Sequence, residues 1–136
     1  MKSTNLIASL FYLSAAYDGL LGLIFLLAPG QVFEYFHVPP PNHLGYVQFP
    51  AGLLLIFALM FWQIARNPRA NRHLIIYGIL LKVSYCSVTG YYWIQQSLPG
   101  MWQPFTICDA LMAVAYIWAY SSLARSKEAV SSGINH

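Results

Sequence analysis

Charge is what this sequence has least of. Asp, Glu, Lys and Arg make up 8% of its 136 residues, where a soluble domain carries about a quarter. So few charges cannot cover a water-facing surface, which excludes an ordinary soluble domain. Cysteine is also scarce. Cys86 and Cys108 both fall in apolar runs, with no CxxC pair and no spaced secreted framework. They read as free thiols packed like small hydrophobes. Catalytic signatures are missing as well: there is no HExxH, no GxSxG, no CxxCH and no glycine-rich phosphate loop. No cofactor and no metal are expected, and the chain gives no ground for naming it an enzyme. Nucleic acid is not an expected partner either, because the basic residues build no continuous face.

What the chain has is apolar length. Hydrophobic residues make up 58% and aromatics 16%, with ten Tyr and four Trp. Such an aromatic excess suits two membrane interfaces, where amphipathic rings settle at headgroup level. Four apolar stretches, near 6–28, 44–65, 74–96 and 105–124, each approach the length of about 20 helical residues that crosses a hydrocarbon core. Pro29-Gly30, Asn67-Pro68 and Leu98-Pro99-Gly100 punctuate the first three ends. Runs such as LLGLIFLLA are continuously apolar, whereas barrel strands alternate. The expected fold is therefore all-α: a transmembrane four-helix bundle in one domain, residues 1–125, followed by a polar, disordered cytoplasmic tail at 126–136. Lys2 and Ser14-Ala15-Ala16 imitate a signal peptide. Cleavage there would leave a stub too short to span, so the segment reads as a retained helix.

Orientation follows from the placement of Lys and Arg. Arg66, Arg69 and Arg72 sit between the second and third spans, Lys2 at the N-terminus, and Arg125 and Lys127 after the fourth span. The loops 29–43 and 97–104 have none. Both termini and the middle loop are thus expected on the cytoplasmic side. In the first outer loop, Val32, Phe33 and Phe36 suggest a short interfacial helix before Pro39-Pro40-Pro41. Glu34, His37 and His43 are proper ligand types, but their spacing matches no metal motif and they read as solvated loop residues.

Each span carries one strongly polar residue: Asp18, Gln48, Lys82 and Asp109. Each shares a helical stripe with a small residue, namely Asp18 with Gly22, Gln48 with Gly52, Lys82 with Gly78, and Asp109 with Ala113. Small residues mark close helix packing in membranes, so these stripes are expected to face inward. With a rise of about 1.5 Å per residue, Asp18 falls near the midplane and Lys82 slightly to its cytoplasmic side. Gln48 and Asp109 fall nearer the outer surface. An Asp18–Lys82 pair is expected, with Lys82 alternatively leaning toward Asp109. A charge at the centre of a membrane helix costs about 2.5–3.5 kcal/mol on the insertion scale, so three of them call for pairing or a purpose. Pro50 lies inside the second span and frees the carbonyl of Tyr46. The segments DGLLG at Asp18 and DALMA at Asp109 form a faint internal repeat.

Tyr17-Asp18, Pro39-Pro40, Gln48, Asn67-Pro68, Gly78-Ile79-Leu80-Leu81-Lys82 and Asp109 together resemble the small bacterial four-helix membrane proteins of the DoxX-like kind. The resemblance implies a multi-pass protein of the bacterial inner (plasma) membrane, and it implies no catalytic mechanism.

Three functional readings follow. In the first, a pocket binds a small or lipophilic molecule such as a quinone, lipid or sterol-like compound. Asp18, Lys82 and Asp109 fix its polar end, Gln48 belongs to the same polar pocket nearer the outer surface, and Tyr85, Tyr116 and Trp93 line its body. In the second, the charges only hold helices in register in a structural or accessory subunit. The third, a proton or solute path, is the least favoured, because four helices make a narrow bundle that would need a dimer. The expected partners are membrane lipids and the ligand, with a homodimer or larger membrane complex left open.

Overall fold

A computed structural model describes residues 2–133 of the chain. Five α-helices follow in order: α1 (Lys2–Leu27), α2 (Pro29–Tyr35), α3 (Gly45–Arg66), α4 (Ile75–Ile94) and α5 (Gln103–Gly133). Short 3₁₀ turns, Arg72–Leu74 and Gly100–Trp102, lead into α4 and α5. No strand occurs among the described residues. The all-helical expectation therefore holds, and four helices are long and apolar enough to cross a membrane.

The helices pair as two hairpins, α1 against α3 and α4 against α5, and the hairpins meet across a thinner seam. The inner stripe of α1 reads Ile7, Phe11, Ser14, Asp18, Gly22, Phe25, the three-and-four spacing of one helical face. That of α5 reads Thr106, Asp109, Ala113, Tyr116, Ala119, Leu123. Outside these stripes the helices stay apolar, with Leu13, Leu20, Leu27, Ile56, Leu59, Leu80, Leu111 and Val114 exposed. A helix that is apolar all round belongs in a core or a membrane span.

Two apolar clusters close the bundle at either end. Ile7, Phe11, Phe61, Ile64, Ile75, Tyr116 and Leu123 fill one. Phe25, Phe33, Ala51 and Met101 fill the other. Gly22 allows α1 to approach α3, since a Cβ there would lie 2.8 Å from the Ala51 carbonyl oxygen. Gly78 does the same for Phe61, whose Cε1 would lie 2.7 Å from an added Cβ.

α1 stops just before Pro29-Gly30, as expected, and the short helix expected in the next loop is α2, which Pro29 opens at a position where its missing N–H is no loss. Phe33 is drawn inward against Phe25 and Trp102 rather than left at an interface, while Phe36 stays exposed. The segment from 126, expected as a disordered tail, is helical as far as Gly133. Ser126–Ser132 holds no Pro or Gly and includes Lys, Glu and Ala, so α5 continues to Gly133; residues 134–136 lie outside the described residues.

Helix ends are finished by local chemistry. Asn71 donates from Nδ2 to the carbonyls of Gln63 (2.8 Å) and Asn67 (3.2 Å) at the end of α3. His37 (φ 54°) and Gln96 (φ 57°) adopt the left-handed conformation just after α2 and α4. There Val38 N–H reaches the Phe33 carbonyl at 3.0 Å, and Ser97 N–H reaches that of Tyr92 at 3.0 Å, as in a Schellman ending.

Candidate functional site

Between the two apolar clusters lies a polar layer. Lys82 Nζ on α4 donates to Asp18 Oδ1 on α1 at 2.8 Å and to Asp109 Oδ1 on α5 at 3.1 Å. The two alternatives for Lys82 are thus realised together. The helical rise places all three residues within a side chain's reach, and the faint DGLLG/DALMA repeat supplies one carboxylate from each side. Lys82 and Asp18 are each 1% exposed and Asp109 is 7% exposed, so the triad is withdrawn from the surface. Rings of Tyr17 and Phe61 lie 5.4 and 5.8 Å from the ammonium, close enough for their faces to favour the cation.

Hydroxyl groups extend the layer on both sides. Tyr116 donates to Ser14 Oγ at 2.7 Å, and the Ser14 hydroxyl donates in turn to the Leu10 carbonyl at 2.9 Å. Toward the other end, Thr106 donates to Thr89 at 2.9 Å. Two polar atoms in the layer find no partner among the described residues: Asp18 Oδ2 and the Tyr17 hydroxyl. Nearly all buried polar groups are satisfied in native proteins, so these two mark the place where the packing is incomplete.

The residues that carry them, Asp18 and Tyr17, belong to the wall of a cavity of about 520 Å³. Asp18 and Asp109 stand in its wall, and Tyr17, Tyr85, Trp102 and Phe105 supply aromatic surface. Its exposed lining residues, Tyr46, Pro50 and Leu53 on α3 and Ser84 and Val88 on α4, put the mouth between these two helices. Leu53 and Ser84 sit near the middle of their helices, so the mouth faces sideways. Pro50 lies inside α3, so that helix does not start there, and Tyr46, whose carbonyl lacks the Pro50 donor, is also in the wall.

The expected site residues divide accordingly. Asp18, Lys82 and Asp109 come together, and Tyr85 joins them at the cavity. Gln48 does not join: its Nε2 donates to the Leu26 carbonyl at 3.1 Å, capping the end of α1 instead. Gly52 does not share the expected inward placement, since an added Cβ there would meet nothing within 4 Å. Ala51 and Ala58 take the inner face of α3, because they let the helix sit close without a polar group to satisfy. Tyr116 is fully buried, stacked on Phe11 with ring centroids 4.9 Å apart, and belongs to the core rather than the cavity wall. Trp93 is exposed and outside the cavity. Sequence reasoning did not place Trp102, Phe105 or Leu53 at the site. Phe105 has a usable signal, lying four residues before Asp109 on one helical face. Nothing in the sequence marks Leu53.

The outer-loop residues stay apart. His43 Nδ1 accepts from Gly45 N–H at 2.9 Å, and no group of His, Cys, Asp and Glu among the described residues is placed to hold a metal. Cys86 and Cys108 are free thiols. In the basic loop, Arg72 donates to the Tyr120 carbonyl at 2.9 Å and stacks over its ring at 3.7 Å, tying the loop to α5.

No family profile matches the chain, and no curated protein and no solved structure matches it.

Proposed function

We propose that this chain is a multi-pass protein of the bacterial inner membrane, DoxX-like in style, which binds a small or lipophilic molecule in the cavity beside its charged triad. Both termini and the loop 67–71 face the cytoplasm in this reading, in keeping with their lysines and arginines. The observation that carries it is the sideways mouth between α3 and α4. Among the apolar outer faces of these helices, it leads from the middle of the span to two carboxylates. A site that only locked helices together would have no need of such a void. Ligand sites are commonly mostly apolar clefts with a few convergent polar groups.

The test is extraction of the purified protein from nanodiscs, with mass spectrometry of whatever accompanies it. Wild type should retain a defined molecule, and Leu53→Trp, which narrows the mouth, should lose it. Retention of nothing but bulk lipid by both proteins would overturn the reading. Reporter fusions at the two termini check the orientation, and an external signal from either end refutes it.

A second reading has its own support. Both carboxylates bond the same ammonium, which is what a purely structural clamp would do. Under that reading Leu53→Trp changes nothing that copurifies.

A further inference from the structure

The ligand-binding reading leaves the chemistry of the ligand's polar end unassigned, and the atoms around the cavity restrict it. Counted as ionised, Asp18 and Asp109 outnumber Lys82 by one negative charge. Lys82 engages one oxygen of each carboxylate. Asp18 Oδ2 is left buried without a partner, as is the Tyr17 hydroxyl, and both residues line the cavity with Asp109. A carboxylate oxygen can only accept a hydrogen bond, and a phenol oxygen can accept one. The wall around them is aromatic, with Phe25, Tyr85, Trp102 and Phe105, and aromatic faces attract cations.

From this convergence we infer that the cavity takes a lipophilic ammonium: a protonated primary or secondary amine on an apolar, ring-containing body. Resting on the ligand-binding reading above, the assignment gives the cluster a fourth member. The N–H groups of the ammonium meet Asp18 Oδ2 and the Tyr17 oxygen, and its charge balances the surplus carboxylate. The apolar body lies along Leu21, Leu54 and Phe57 toward the mouth. An anionic headgroup is excluded by the same balance, since it would add a second unmatched negative charge. A neutral alcohol supplies one donor and leaves the surplus in place.

Isothermal titration into protein-bearing nanodiscs of zwitterionic lipid tests this, with empty nanodiscs subtracted. Three probes share one body: 2-(1-naphthyl)ethylammonium, 2-(1-naphthyl)ethanol and 1-naphthylacetate. The ammonium should bind at least tenfold more tightly than the alcohol, and the acetate should not bind saturably. Asp18→Asn should weaken the ammonium at least tenfold and leave the alcohol within threefold. Tyr17→Phe, which keeps the triad intact, should weaken the ammonium several-fold and guards against misfolding of the aspartate variant. Equal affinity for alcohol and ammonium would overturn the ligand class while leaving the pocket itself standing. Saturable binding of none of the three overturns the class, and the pocket then stands or falls on the copurification test. Ammonium binding that neither substitution changes would place the ligand elsewhere and defeat the assignment.

Discussion

Replacing Lys82 with Met should be the most damaging single change to this fold. At an effective dielectric of about 20, opposite charges 2.8 Å apart attract by about 6 kcal/mol and those 3.1 Å apart by about 5 kcal/mol. The two carboxylates can be no farther apart than these bonds laid end to end, so they repel by at least about 3 kcal/mol. Against the attraction stands the hydration lost by three ions, several kcal/mol each. The intact triad is therefore close to break-even. Removing the ammonium is different, because the attraction goes while two buried carboxylates remain face to face. Loss of one partner from a buried pair typically costs about 3–5 kcal/mol, and Lys82→Met should fall in that range. Reversible unfolding in bicelles measures it. The informative control is Asp18→Leu, Lys82→Met and Asp109→Leu made together, which should come within about 1 kcal/mol of wild type or exceed it. A loss below about 1 kcal/mol for Lys82→Met, or a triple variant weaker than the single one, would refute the reasoning.

Glycine substitutions should separate the packed faces from the open one. Gly22→Ala should cost about 1–3 kcal/mol, because its Cβ would press on the backbone of Ala51, whereas Gly52→Ala should gain about 0.5–1 kcal/mol by helix propensity alone; the same unfolding assay reads both. Tyr116→Phe should lose about 0.6–1 kcal/mol with the Ser14 hydrogen bond, the range found between membrane helices, and a loss above about 2 kcal/mol would mean that the ring stack had moved. Gln96→Gly should raise the thermal midpoint slightly, since relief of about 1–2 kcal/mol of left-handed strain exceeds the entropy penalty of glycine; a lowered midpoint would show that the Gln96 side chain matters more than its backbone.

Much of the bundle was legible because membrane helices announce themselves by unbroken apolar length. The Asp18–Lys82 pair was legible because the two residues fall at compatible depths on stripes with Gly22 and Gly78; Asp109, expected nearer the outer surface, joins the same ammonium. Gln48 misled for a physical reason. Polarity alone does not say whether a side chain serves a site or a neighbouring helix end, and the free carbonyl of Leu26 becomes visible only once α1 is seen to stop at Leu27. Tyr116 misled because a ring at the right spacing serves a core as well as a pocket. The position of the cavity's mouth had no sequence signal. It arises where α3 and α4 pack lightly against each other, and packing between hairpins is a property of three-dimensional fit rather than of any one segment.

The triad takes its members from the first, fourth and fifth helices, and this has a consequence for synthesis. During translation α1 enters first, carrying Asp18 with no partner. When α4 arrives, Lys82 makes the growing bundle electrically even. On the membrane reading proposed above, the final helix then brings Asp109 into an assembly whose two other charges already match, and α5 enters against a charge penalty of about 2.5–3.5 kcal/mol on the insertion scale. Its long apolar face and its grip on α4 meet that demand. Because α4 packs mainly on α5 and only thinly on the first hairpin, a chain halted before residue 103 should keep α1 against α3 but leave α4 and its lysine without their main packing partner.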